Sequence, residues 1–166
     1  MLKPGGSVGR EMSQVASIPE GQIDGVELHA LKIFADERGA VLHMLRADSA
    51  LGAKFGEVYF SEINPGVVKG WKRHLRMTQR LTVPVGQVKF VIYDDRPESK
   101  TRGRIANWTV GRPDNYRLLV IPPGVWYGFQ CVDARPSLIV NCADLPHDPM
   151  ESELAKLDAG VVPYRW

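Results

Sequence analysis

Short apolar runs separated by turn residues are the feature that most limits what this chain can fold into. From Ile23 onward these runs alternate with clusters of Gly, Pro, Asp and Asn. Runs of this kind are typical of β-strands, and their close spacing indicates a sandwich or a barrel. Short helices are expected only at Leu51–Phe55 and Glu151–Leu157. The predicted strands are Val26–Phe34, Val41–Leu45, Glu57–Ile63, Val67–His74, Arg80–Val85, Gln87–Asp94, Arg104–Val110, Tyr116–Ile121, Tyr127–Val132 and Ser137–Ala143.

The length and the charge of the chain limit its organisation and its partners. Its 166 residues, 44% of them hydrophobic, suit one domain with its own core. We expect residues 1–22, which are rich in Gly and polar residues, to form a flexible arm ahead of a domain over residues 23–166. The net charge of only +2 provides no chain-wide basic field, so nucleic acid is not an expected partner.

The N-terminal segment and the cysteines indicate the compartment. Residues 1–22 contain no apolar stretch of the kind found in secretory signals or membrane spans. Cys131 and Cys142 are too few for a disulfide framework and lack the CxxC spacing. We therefore expect a cytoplasmic protein without membrane association, in which both cysteines remain thiols.

A cluster of positive charge lies on residues 65–86, which otherwise have the character of strands. Side chains at even spacing share one face of a strand, so Lys72 and His74 should point together while Lys69 and Trp71 point the other way. Such a cluster could serve a phosphate-bearing ligand, a metal held by His74, or only the solvent. The cationic residues of the cluster are Lys69, Lys72, Arg73, His74, Arg76 and Arg80.

The spacing of residues 66–86 fits the first metal motif of the cupin jelly rolls, but the ligands of that motif are mostly missing. Lys72 occupies the place of the first histidine, Gln79 that of the glutamate, and Tyr127 that of the last histidine. Only His74 is kept. One imidazole and an amide make a poor site for a divalent ion, so we expect no metal and no other cofactor.

Longer segments resemble one family of metal-free cupins. GVVKGWKRH, TQRLTVPVGQVKFVIYDDR, LLVIPPGVWYGF, HDP and the earlier DERG are together similar to the dTDP-4-dehydrorhamnose 3,5-epimerases, from about Ile23 to Trp166. The resemblance implies an all-β cupin jelly roll that forms a homodimer. It also implies an isomerase whose substrate is a nucleoside diphosphate sugar, dTDP-linked, with a 4-keto group.

The catalytic positions of that family carry altered residues here. The family uses a histidine base backed by an aspartate, a lysine beside the developing enolate, and a tyrosine acid. By resemblance the histidine falls on Lys72, the aspartate on Asp158, the lysine on Arg80 and the tyrosine on Asn141. Lys72 can act as a base if its pKa is lowered by burial, and His74 is the alternative base.

The acid and the ligand contacts are the remaining expectations. An amide cannot return a proton, so Tyr127, Tyr93, Cys142 or water would replace Asn141 as the acid, and exchange is expected at one carbon or slowly at two. Two cations match family positions that contact the diphosphate, and Tyr127 is expected in the same binding site. The alternative function is a sugar-nucleotide-binding cupin that has lost its chemistry. The two diphosphate-binding cations are Arg38 and Lys69.

Overall fold

The computed structural model describes residues 21–52 and 54–166. The predicted N-terminal arm, residues 1–22, therefore lies almost wholly outside the described residues. The strands are β1 (Glu27–Ala30), β2 (Ile33–Asp36), β3 (Gly39–Leu42), β4 (Glu57–Ile63), β5 (Val68–His74), β6 (Gln79–Val85), β7 (Gln87–Tyr93), β8 (Ile105–Gly111), β9 (Arg117–Ile121), β10 (Trp126–Cys131), β11 (Ser137–Ala143) and β12 (Ser152–Leu154). The prediction of an all-β jelly roll is confirmed.

Two antiparallel five-stranded sheets form the body of the protein. The first sheet has the order β1-β9-β6-β11-β4, and the second has the order β12-β5-β10-β7-β8. Alternate residues of both sheets point inward, because successive side chains of a strand face opposite ways. The core between the sheets joins Ile63, Val83 and Ile139 of the first sheet to Phe90 and Ile92 of the second.

A second apolar cluster lies against the other face of the second sheet. Trp71 and Trp126 are buried there, and the C-terminal residues Tyr164 and Trp166 pack on them. Tyr93 is a partly buried neighbour in the same cluster. The C-terminal residues therefore cover this outer face of the second sheet.

Two of the sequence predictions need correction. The predicted strand Val26–Phe34 divides into β1 and β2, which belong to different sheets. The predicted helix Glu151–Leu157 is wrong, because a 3-10 helix at Pro149–Glu151 leads directly into β12. Residues 152–154 pair with the edge of β5, and this pairing overrides a weak helical pattern.

The hairpin of β2 and β3 forms a separate two-stranded sheet. Phe34 is 57% exposed on this hairpin and Val41 is 61% exposed. A further short 3-10 helix, Ala50–Gly52, lies between the hairpin and β4. Among the described residues, the structure contains no helix long and apolar enough to cross a membrane.

Candidate active site

A cavity of about 360 Å³ opens beside the ends of β4 and β5. Since β4 belongs to the first sheet and β5 to the second, the cavity receives side chains from both sheets. The structure brings Lys72 and His74 together here, as their even spacing on one strand predicts. The cavity is lined by Glu57, Tyr59, Lys72, His74, Met77 and His147.

His74 forms a buried pair with Glu151. The imidazole is 5% exposed and the Glu151 residue 2%, and His74 Nδ1 lies 2.6 Å from Glu151 Oε2. The other carboxylate oxygen, Oε1, accepts hydrogen bonds from the backbone N–H groups of Arg76 at 2.6 Å and Met77 at 2.7 Å. Glu151 therefore joins the chain before β12 to β5 and to the turn that follows β5.

The protonation of this pair follows from its surroundings. Burial raises the pKa of the Glu151 carboxyl, but the bonds from His74 and from two backbone N–H groups outweigh it and hold the pKa below the ordinary value. Burial lowers the pKa of His74, an effect that Glu151 offsets only in part. Both directions favour a neutral imidazole whose Nδ1–H donates to the Glu151 carboxylate.

Tyr127 is the hydrogen-bonding partner of the other ring nitrogen of His74, Nε2. The Tyr127 hydroxyl lies 3.3 Å from His74 Nε2, and the two rings are stacked. Complete burial raises the pKa of Tyr127, so its phenol stays neutral and donates to Nε2. Both nitrogens of His74 therefore have partners within the protein.

Lys72 differs from His74 in this respect. Within the described residues its amino group forms no hydrogen bond or ion pair. Burial lowers the pKa of Lys72, and the carboxylates of Glu151 and Glu57 oppose that shift without cancelling it. Lys72 is thus a half-buried amine with its donors and its lone pair available to a ligand.

Tyr59 faces the cavity from β4 and is held by Asn141 on β11. The two residues are directly paired in the ladder between these strands. Asn141 Nδ2 lies 2.8 Å from the Tyr59 hydroxyl oxygen, and Asn141 Oδ1 accepts from the backbone N–H of Arg80 at 3.1 Å. This second bond fixes which end of the amide faces Tyr59. Asn141 itself is buried behind Tyr59.

Arg80, expected beside the enolate, does not line the cavity. Its guanidinium donates to the backbone carbonyls of Leu51, Lys54 and Cys142. These bonds fasten the segment before β4 to the outer side of the first sheet. The positive charge of Arg80 therefore interacts with main-chain oxygens of its own chain.

Asp158, expected behind the base, is also absent from the cavity. It is exposed near the C-terminus and lines a separate open depression with Tyr164 and Trp166. The carboxylate beside His74 is Glu151 instead. The sequence does not indicate which carboxylate lies beside His74, because that depends on the pairing of β12 with β5.

The cations expected at the diphosphate occupy two different places. Lys69 lines a smaller cavity of about 230 Å³ that also touches Lys72 and Tyr127, and its amino group donates to the carbonyl of Glu62 at 2.8 Å. Arg38 lies on the β2–β3 hairpin with its side chain 82% exposed. Its guanidinium pairs with Asp36 at 2.6 Å and lines neither cavity.

Sequence reasoning missed Tyr59, Glu57 and Glu151. The first two share one face of β4, so their even spacing on a predicted strand was an available signal. Glu151 had no local signal, since its partner His74 is distant in the sequence. Within the described residues there is no group of three or more His, Cys, Asp or Glu side chains that could hold a metal ion.

Known proteins share this sequence and architecture. Residues 20–162 match the model of the dTDP-4-dehydrorhamnose 3,5-epimerase family. The spore coat polysaccharide biosynthesis protein SpsL of Bacillus subtilis is 30% identical over 87% of this chain and 96% of its own. The probable low-salt glycan biosynthesis epimerase Agl13 of Haloferax volcanii is 35% identical over 72% of this chain and 77% of its own.

A solved structure supports the same relationship. The dTDP sugar isomerase of Desulfovibrio desulfuricans is 53% identical and superimposes with a TM-score of 0.85, covering 87% of this chain and 92% of the other. The match of the family model covers all of the strands from β1 to β12. The chain therefore belongs to the dTDP-4-dehydrorhamnose 3,5-epimerase family, whose members are carbohydrate isomerases.

Proposed function

We propose that this protein is a sugar-nucleotide epimerase or isomerase that removes a proton from a carbon next to the ketone of a 4-keto-6-deoxy nucleoside diphosphate sugar. The single observation that carries the proposal is the amino group of Lys72, which has no hydrogen-bonding partner among the described residues and lines a cavity of about 360 Å³. Family membership supplies the reaction class, and the dTDP sugar isomerase of D. desulfuricans indicates a dTDP-linked substrate. The reaction requires no metal and no organic cofactor.

We assign the role of base to Lys72. A base needs a free lone pair near the operating pH, and burial shifts the pKa of Lys72 in the required direction. After it takes the proton, Lys72 becomes an ammonium beside the enolate and stabilises the new negative charge. The ammonium of Lys72 thus supplies the cation that the enolate needs. Arg80, expected in that role, is bonded to backbone carbonyls instead.

We assign His74 and Glu151 a positioning role. Glu151 orients the imidazole, and the imidazole accepts from Tyr127, so the three side chains form one connected support beside Lys72 in the cavity. His74 would act as the base only if a ligand displaced Tyr127 from Nε2. The connected support and the free amine therefore favour Lys72 over His74.

We further propose that the active form is a cytoplasmic homodimer. Arg38 lines neither of the two cavities that Lys72 lines, so we expect a contact between Arg38 and a diphosphate bound there to involve a second copy. The hairpin exposes Phe34 and Val41, and β4 exposes Phe60, apolar side chains that a second copy would cover. Both cysteines are free thiols, which fits a reducing compartment. Analytical ultracentrifugation should give twice the chain mass, and a monomer would contradict this proposal.

Incubation with dTDP-4-keto-6-deoxyglucose in heavy water tests the function. An epimerase should introduce deuterium at C3, C5 or both, which NMR and mass spectrometry detect in the recovered sugar. A protein that binds the nucleotide sugar without any deuterium incorporation would be the alternative, a binding cupin without chemistry.

A further inference from the structure

The proposed reaction removes a proton on one face of the sugar ring and needs a donor on the other face to invert the carbon. Lys72 approaches the cavity from β5 in the second sheet. A donor for the opposite face should therefore come from the first sheet. Two strand residues of the first sheet line the cavity, Glu57 and Tyr59, and both lie on β4.

Tyr59 has the hydrogen bonding that an acid needs. Its oxygen accepts from Asn141 Nδ2 at 2.8 Å. The contact of its own hydroxyl with Gln79 Oε1 is long, at 3.4 Å, so the proton is held only weakly by the protein. The bound oxygen and the weakly held proton leave the O–H group available to a ligand in the cavity.

Asn141 has the orientation to support the phenolate that would result. The backbone N–H of Arg80 donates to Asn141 Oδ1, so the amide can offer only its N–H groups to Tyr59 and Gln79. A donor aimed at the Tyr59 oxygen is worth more once that oxygen carries a charge. The amide that replaces the family's tyrosine thus faces a tyrosine on the next strand.

We propose that Tyr59 is the catalytic acid of the reaction and that Asn141 is its positioning residue; this inference rests on the proposed function. Lys72 takes the proton from the carbon beside the ketone, and the electrons of the C–H bond form the enolate. The O–H bond of Tyr59 then breaks, and its proton bonds to the same carbon from the opposite face. The electron pair stays on the Tyr59 oxygen, held by Asn141. Water returns a proton to Tyr59 and takes one from Lys72.

The test separates the removal of the proton from its return. In heavy water, a base alone introduces deuterium into recovered substrate with retained configuration, whereas the acid is needed for the inverted product. Tyr59→Phe should therefore keep deuterium incorporation but lower the rate of epimer formation by about 100-fold or more. Retained incorporation also shows that the variant is folded. Tyr164→Phe is the matched control, since Tyr164 packs in the outer aromatic cluster away from the cavity, and it should form epimer at the wild-type rate.

Each other outcome contradicts a named part of the account. Unchanged epimer formation in Tyr59→Phe, with incorporation intact, overturns the role of Tyr59 alone. Loss of both incorporation and product in a Tyr59→Phe variant that still binds dTDP shows that Tyr59 acts in removing the proton, which also overturns its role as the acid. If Glu57→Gln keeps deuterium incorporation but loses epimer formation, while Tyr59→Phe keeps both, then the acid is Glu57 and not Tyr59. No incorporation by the wild type overturns the proposed function, and this inference with it.

Discussion

Two regions that carry cations, the inner face of β5 and the β2–β3 hairpin, differ in what surrounds the charge. On β5, Lys72 is half-buried and has no hydrogen-bonding partner within the described residues, while its neighbour His74 is bonded on both nitrogens. On the hairpin, Arg38 is largely exposed and already paired with Asp36. The first arrangement alters the chemistry of an amine, whereas the second keeps a permanent charge in solvent. We infer that β5 performs the reaction and that the hairpin contributes to binding.

The largest expected effect is on the reaction rate, and it tests the role given to Lys72 on β5. Lys72→Met keeps the length of the side chain but removes the base, so deuterium incorporation should fall by about 100-fold to 10,000-fold, the range for one acid or base. The affinity for dTDP, measured by calorimetry, should stay close to that of the wild type. Incorporation at the wild-type rate in this variant would remove Lys72 from the chemistry.

The next effect concerns the support beside Lys72. Glu151→Ala leaves the buried His74 Nδ1 and the backbone N–H groups of Arg76 and Met77 without their acceptor, and we expect a loss of about 3–5 kcal/mol in the free energy of unfolding. Glu153→Ala is the matched control on β12, because Glu153 forms a more exposed ion pair with Arg73 and should cost no more than about 1 kcal/mol. Urea denaturation measures both. Equal losses in the two variants would contradict the role given to Glu151.

A smaller effect tests the hairpin. If Arg38 contacts the diphosphate, Arg38→Ala should weaken dTDP binding by about 1.5–3 kcal/mol, the value of a hydrogen bond to a charged group. Arg46→Ala is the matched control, since Arg46 is exposed and paired with Asp48 at the same 2.6 Å. Calorimetry should show a loss only for Arg38→Ala, with little change in folding. Unchanged affinity would exclude Arg38 from the site.

The smallest expected effect is on the stability of the fold, and it compares the removal of the cation on β5 with the removal of the cation on the hairpin. Lys72 is partly desolvated and has no compensating bond from residues 21–52 or 54–166, so Lys72→Met should stabilise the fold at neutral pH by about 0.5–2 kcal/mol. Arg38→Met removes a solvated cation and should leave the free energy of unfolding nearly unchanged. Thermal denaturation of the two variants measures this difference. A destabilised Lys72→Met would mean that the amine supports the fold.

The strands of this protein were largely predictable, because they follow from local alternation and turn residues. The bounds of β4 and β11 were predicted to the residue, and those of β5 and β7 to within one. The region before β4 was less predictable, since the change from β1 to β2 depends on which sheet each strand joins. β12 was missed because its pairing with β5 brings together segments that are distant in the sequence.

The site was predictable only where one strand holds its residues. Lys72 and His74 were placed together by the period of β5, and the same rule applied to Glu57 and Tyr59 would have found the other wall. Arg80 and Asp158 were assigned by resemblance, and the structure places both outside the cavity. Their placement depends on strand faces and loop contacts, such as the bonds from Arg80 to the segment before β4.

The pH dependence of deuterium incorporation by the wild type tests the central claim, that Lys72 is the base. Burial lowers the pKa of Lys72 from 10.5, and it also lowers the pKa of His74 from 6.5. A base works when deprotonated, so with Lys72 the rate should still rise with pH above 6.5 and level off below 10.5. A rate that is already level at pH 6.5 and falls only at more acidic pH would identify His74 as the base and contradict this account.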